Sequence, residues 1–547
     1  MLMRNLMPAM IAAVAVSVAS VGASAQDAPL CSKQDGKLTP DALRTVVIQN
    51  EGDNAAVFAN DRFSFRETIQ HILGTASGAQ PGTDKWKLAT AENEQITFLT
   101  SLLRSFHQIE RTNNGVRNDA TLRPNEADIQ ASKLLSDMRP VGLFNRLDLA
   151  PASWRYCGEH RVVYAMGTKT NRMFLIFEAA VDNPDPTHSA AGCLRIANFW
   201  AGLKERPVSE LPDALHGFYY RGDLGDGLTN VASVLDSKHF GVPFGQIRGN
   251  LFMAADDVEN NPWMLREWRT FPDVNAGTKL VVDTIKANPI AELFNDKPLA
   301  NEHGRTQSFA DLRPEFQSRF IIGNLRELIE VDLQAAAENR VPTGDEIFNK
   351  LSANFDDRFN DFESISQVTP TEDDNYEADR ELKEKIELEL AKYKLPASWQ
   401  LTSDHIMNRA EALSCGGCHN LSNDVITGAK SPVGPGGEAM NWPAALAFTH
   451  IDEKAKMSKA LLDHFLPARC ENLATFVREP IEIARHTFSL DSDDTQTFIR
   501  DMSARIEQTT EASEVTDILP KLANEISQIR AEDARAVGAF RAFRRTH

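Results

Sequence analysis

The chain predicts an α+β fold with a helical N-terminal region, a central, mainly antiparallel β region and a C-terminal helical cytochrome c-like domain. Three observations carry that expectation. Apolar residues recur at helical spacing before residue 139. Short runs rich in β-branched and aromatic residues, punctuated by Gly, Pro, Asn and Asp, fill residues 140–290. Helical spacing returns toward the C-terminus, where one helix leads directly into Cys415-Gly416-Gly417-Cys418-His419.

Residues 1–25 read as a cleavable export signal. Arg4 gives a positive start, residues 7–21 are apolar, and Ala23-Ser24-Ala25 supplies a small-residue cleavage pattern. A periplasmic or secreted location follows as the expectation, and with it a compartment that permits disulfides. Residues 26–139 form the helical N-terminal region, with helices expected over 63–73 and 96–106 and a third capped by Asn125 and running to Met138. Residues 140–365 form the β region with flanking helices. Strands are expected at 161–166, 173–181, 194–200, 216–220, 246–253, 264–270 and 280–285, and helices at 313–337. Residues 366–396 combine an acidic linker with an amphipathic helix whose Leu382, Ile386, Leu390 and Tyr393 share one face. The cytochrome c-like domain occupies 397–547.

The composition narrows the partners. Across 547 residues, 58 Lys and Arg stand against 77 Asp and Glu, a formal charge of −19. Such a balance repels phosphate backbones and anionic lipid, so nucleic acid is not expected as a partner. Past the signal, no stretch approaches the ~20 apolar residues of a membrane span. A redox partner protein or a small-molecule substrate remains.

The spacing of CxxCH has a chemical reason. Two thiols three positions apart can add across the two vinyl groups of one haem, and the adjacent imidazole then reaches the iron from one face. With six Cys and thirteen His in the chain, composition alone would give about 0.002 such matches. One covalent haem c is therefore expected on Cys415 and Cys418, with His419 as its proximal ligand. His450 is taken as the second axial ligand, with Met457, Met440 and His464 as alternatives, or an open distal position. CxxC can also form a disulfide or redox pair, or half of a zinc site to which His405 contributes. A secreted binding or scaffold protein, or a hydrolase, is then the alternative to a haem-dependent oxidoreductase or electron carrier.

Cys31, Cys157, Cys193 and Cys470 suit disulfides. Cys157 and Cys193 flank the first two expected strands and could bridge them, and Cys31 with Cys470 would then tie the N-terminal leader to the C-terminal domain. The sequence leaves all three pairings open. The stretch 144–163 brings Asn145, Arg146, Asp148, Glu159, His160 and Arg161 close in sequence. An acid/base or anion-binding site would use such groups, but charges adjacent in sequence usually decorate a solvated loop, so a polar turn is the expectation. Phe199, Trp200, Phe218, Tyr219, Tyr220, Trp263 and Trp268 are expected in the core of the β region rather than in a substrate groove.

Four segments, NRLDLAP at 145–151, YCGEHRVVY at 156–164, FGQIRGNLF at 244–252 and SCGGCHN at 414–420, extend the comparison along the chain. On them the protein resembles a group of large exported bacterial CxxCH proteins with a C-terminal cytochrome c-like domain. The resemblance implies export and a CxxCH motif, and implies nothing about substrate.

Overall fold

The computed structural model describes residues 29–478 apart from internal stretches, the longest being 253–262, 295–311 and 366–379. The export signal, the acidic linker and residues 479–547 of the C-terminal region lie outside the described residues.

The protein mixes helices with one central antiparallel sheet. Its strands are β1 (Val47–Gln49), β2 (Arg139–Arg146), β3 (Tyr156–Met166), β4 (Arg172–Asp182), β5 (Gln246–Phe252), β6 (Met264–Asp273), β7 (Gly277–Asp283) and β8 (Glu363–Ile365). Strands β2 to β7 follow one another across the sheet, β1 closes one edge against β2, and β8 shares the other edge by pairing with β6. Every pairing is antiparallel. Five of the seven expected strands are therefore present. Antiparallel register sets Arg161 opposite Glu178 and Arg248 opposite Glu267.

Because side chains alternate along a strand, β3 divides its residues between two cores. His160, Val162, Tyr164 and Met166 face one side; Glu159, Arg161, Val163 and Ala165 face the other. The first side packs on helices α1 (Phe65–Ala76) and α2 (Glu92–Arg104) through Ile69, Ile72, Phe98 and Leu102. Ser64 caps α1 by accepting the Glu67 N–H at 3.2 Å, which satisfies a donor the helix itself cannot. The two expected N-terminal helices are thus present. The third is not one helix: residues Pro124–Ala127 and Ala131–Asp137 form two, with Asn125 inside the first rather than capping it.

Residues 194–200 and 216–220 are helical rather than extended. They belong to α3 (Leu194–Gly202) and α4 (Leu211–Arg221), which lie over the first face of the sheet. Their aromatics favour strands intrinsically, but Ile196, Trp200 and Leu203, and Leu211, Leu215 and Phe218, recur every three or four residues and bury one helical side. Gly222 ends α4 with φ +65°, where any Cβ would come within 1.8 Å of the Val231 carbonyl oxygen. The seven singled-out aromatics are buried, as expected.

The second side of the sheet packs on the later helices: α5 (Arg380–Leu390), α6 (Ser403–Leu413), α7 (Cys415–Leu421) and α8 (Leu466–Arg478). Phe144, Val163 and Phe174 share this core with Leu382, Ile386, Ile406, Leu413 and Cys418. Thr402 caps α6, and its backbone N–H donates to His405 Nδ1 at 3.1 Å. Of the three cysteine pairings the sequence allows, the structure has Cys157 with Cys193 and Cys31 with Cys470, at Cα separations of 5.3 and 5.7 Å. Among the described residues, no helix is long and apolar enough to cross a membrane.

Candidate functional site

The corner between α6 and α7 presents the CxxCH segment. Ser414 is extended and closes the corner by accepting the Gly417 N–H on its Oγ at 2.9 Å, while its carbonyl takes the Cys418 N–H at 2.9 Å. A Cβ on Gly417 would lie 2.3 Å from Glu411 Cγ and 2.4 Å from the Glu411 carbonyl oxygen, so the turn requires glycine there. Gly416 N–H donates to Asn288 Oδ1 at 3.0 Å and ties the helix to the sheet side.

Cys415 and Cys418 are both buried and both keep their thiols. Three positions apart on a helix, they lie on one side of it. Burial pushes the Cys418 thiol up to about 12, and burial also raises Cys415 against the opposing pull of Arg248. A thioredoxin-type pair works through a lowered thiol pKa, and here both move the other way.

His419 follows on the same helix and is partly exposed. His450 lies in the turn before residue 458, where Ser458 holds it twice: Nδ1 to Oγ at 3.0 Å, and its carbonyl to the Ser458 N–H at 2.8 Å. Phe465 meets the ring edge-on at 5.9 Å. The His419 and His450 ring centroids are 6.4 Å apart at 53°. Two imidazoles that share one metal through their ε nitrogens, with bonds of ~2 Å, place their centroids about 6 Å apart. With Nδ1 engaged by Ser458, coordination by His450 would fall to Nε2. The donor types present match those of a covalently held haem: two thiols on one helix side, and two imidazoles whose centroids are 6.4 Å apart.

The other ligand candidates are committed elsewhere. Met440 and Met457 are packed in the second core. His464 binds Asp345 Oδ1 at 2.6 Å and meets Phe348 edge-on. His405 accepts the Thr402 N–H at the start of α6, and burial lowers its pKa. Among the described residues, no three His, Cys, Asp or Glu side chains converge on one point as a metal-binding group.

Behind Cys415 lies a charged stripe that sequence reasoning missed. On the second face of the sheet, Arg161 pairs with Glu159 at 2.6 Å and Glu178 at 3.1 Å. Arg248 reaches Glu178 at 3.4 Å and Glu267 at 3.7 Å. Gln246 donates to Glu178 at 2.5 Å, and Arg269 pairs with Glu267 and Asp283. Glu178 and Glu267 are fully buried. Burial alone would raise Glu178; Arg161 and Arg248 override it and hold the carboxyl below its ordinary range. Arg248 and Arg161 act electrostatically on Cys415. The one available signal was the alternation in Gln246-Ile247-Arg248, where polar and apolar residues exchange at period two.

The polar turn expected over 144–163 is thus corrected. Asn145, Arg146, Glu159, His160 and Arg161 stand on β2 and β3, and only Asp148 is in the connection, with Arg146 holding it side-on at 3.0 and 2.8 Å. The acid/base grouping is divided as well, because His160 points to the opposite face from Glu159. His160 is fully buried against Trp200, whose indole N–H donates to Nδ1 at 3.0 Å.

That burial has a measurable consequence. Burial lowers His160 from 6.5 to about 3, more than the Cys157 backbone offsets. Below about pH 6.5 the unfolded chain takes up a proton that the folded chain refuses until about pH 3. Stability contributed by the neutral ring is therefore lost across that window, at about 1.4 kcal/mol per pH unit. In His160→Gln, denaturant unfolding at pH 7 and pH 5 should show a shallower loss than wild type; an unchanged slope would mean that the ring protonates in the folded protein.

No family model, curated protein or solved structure matches the chain.

Proposed function

We propose that this protein is an exported mono-haem c-type electron-transfer protein, with Cys415 and Cys418 as the attachment points and His419 and His450 as the two axial ligands. The two thiols would hold the haem through thioether bonds to its two vinyl groups. The haem supplies a reversible one-electron couple. The observation that carries the reading is the 6.4 Å spacing of His419 and His450 beside two unoxidised buried thiols.

Each surrounding residue has a task under this reading. Ser458 fixes the orientation of the His450 ring, and Ser414 with Gly417 sets the corner from which the thiols project. With His419 and His450 both holding the iron, no position on it would be left for a substrate, which favours electron transfer over substrate oxidation. Two histidines also place the couple below that of a Met/His pair. The C-terminal helices would form a cytochrome c-like unit built onto the second face of the sheet. The acidic balance of the chain favours a basic redox partner.

The test is an alkaline pyridine haemochrome spectrum on full-length protein exported from a host that attaches haem, after acetone extraction of loose haem. A c-type α-band at one haem per chain is expected. Protein without covalent haem overturns the proposal.

A further inference from the structure

Arg469, on α8 beside the disulfide-bonded Cys470, is 5% exposed. Its Nε and Nη2 have no hydrogen-bond partner. These two donors form the side-on edge of the guanidinium, the edge with which Arg146 grips Asp148 nearby. A guanidinium stays charged in a protein, so it cannot relieve burial by losing its proton.

Its neighbours do not supply the missing anion. The charged groups that act on Arg469 are Arg146, Asp148 and Arg161. Asp148 has both oxygens on Arg146. Arg161 is committed to Glu159 and Glu178, and Glu178 is shared with Arg248. Burial and the two arginines press the Arg469 pKa down, and Asp148 opposes them only in part. Two cations and one anion around a third cation leave an excess of positive charge with a planar two-donor edge at its centre.

We propose that the Arg469 edge is a binding site for one carboxylate, whose two oxygens accept from Nε and Nη2. A carboxylate matches the edge in shape and, as a monoanion, supplies one charge without the second that a dianionic phosphate would bury. Two sources carry that chemistry: a free organic acid, and a propionate of the covalently attached haem. The second source rests on the function proposed above; the first does not.

The experiment compares thermal unfolding in acetate or succinate with unfolding in chloride at equal ionic strength. It uses the exported protein and a haem-free Cys415→Ala/Cys418→Ala form of the full chain. Saturable stabilisation by the acid is expected, absent in Arg469→Met and at least about tenfold weaker in Arg469→Lys, because an ammonium lacks the fork. Should Arg469→Met fail to fold, Arg469→Lys carries the comparison. Stabilisation of both forms identifies a free acid. Stabilisation of the haem-free form alone identifies the propionate, and Arg469→Lys then shifts the reduction potential of the exported protein. Acid stabilisation that survives in Arg469→Met overturns the proposal. So does a lack of acid effect combined with an unchanged potential in Arg469→Lys. If the exported protein carries no haem, the acid effect alone decides.

Discussion

Under the proposed haem attachment, replacing His450 with Ala is expected to leave covalent haem in place and to abolish a six-coordinate, low-spin spectrum of the oxidised protein. His450 sits 6.4 Å from His419 and is held at Nδ1 by Ser458. Removing the ring would take away one of the two proposed iron ligands without touching the thiols or the α7 corner. Added imidazole should restore the low-spin spectrum, and the reduction potential should rise while the position stays open. Ser458→Ala should do less, loosening the ring and lowering the fraction of low-spin protein. An unaltered spectrum in His450→Ala would remove His450 as ligand and return Met440, Met457 or an open position to consideration. Haem content, absorbance and electron paramagnetic resonance on the same preparation separate these results.

Glu178→Ala should be the most damaging single change on the sheet, costing about 3–5 kcal/mol of stability. Glu178 has no exposure and stands between Arg161 at 3.1 Å and Arg248 at 3.4 Å. Truncation takes the shared carboxylate from two mostly covered guanidiniums, leaving Arg161 with Glu159 alone and Arg248 with the more distant Glu267, so less of their desolvation is offset. The same carboxylate sets a direction with pH. Its folded pKa lies below the ordinary carboxylate value, so its stabilisation is complete above about pH 4.5 and is lost as pH falls through the lower folded value. Chemical denaturation at pH 7 and pH 4 tests both points: Glu178→Ala should be far weaker than wild type at pH 7, with the gap narrowing in acid. A loss below about 1 kcal/mol at pH 7 would mean that water reaches the stripe and screens it.

Much of the chemistry was legible in the chain because it rests on short-range spacing. The CxxCH thiols and imidazole are neighbours in sequence, and helix α6 leads into them on a recognisable stripe of Ile406, Ala410 and Leu413. Strands β3 to β7 were legible for the same reason, through alternation over a few residues. The errors fell where short aromatic runs satisfy both periods: α3 and α4 read as strands because their burial against the sheet, not their local preference, chooses the helix.

The charged stripe shows the opposite limit. Its members come from β3, β4, β5, β6 and β7, so no segment contains enough of it to stand out, and adjacent residues such as Glu159 and His160 face opposite cores. Of the segments 145–151, 156–164, 244–252 and 414–420, the first three contribute to this face through Arg146, Arg161 and Arg248, and the last supplies Cys415 against it. By itself the sequence determined the mixed helix-and-strand composition, the place of most strands and the CxxCH segment, since each depends on residues within one turn or one strand. The tertiary structure alone decided which cysteines pair, which histidine stands beside His419 and which charges are buried together. Those outcomes depend on chain segments tens to hundreds of residues apart, brought to one place by sheet register and by the burial of two apolar faces.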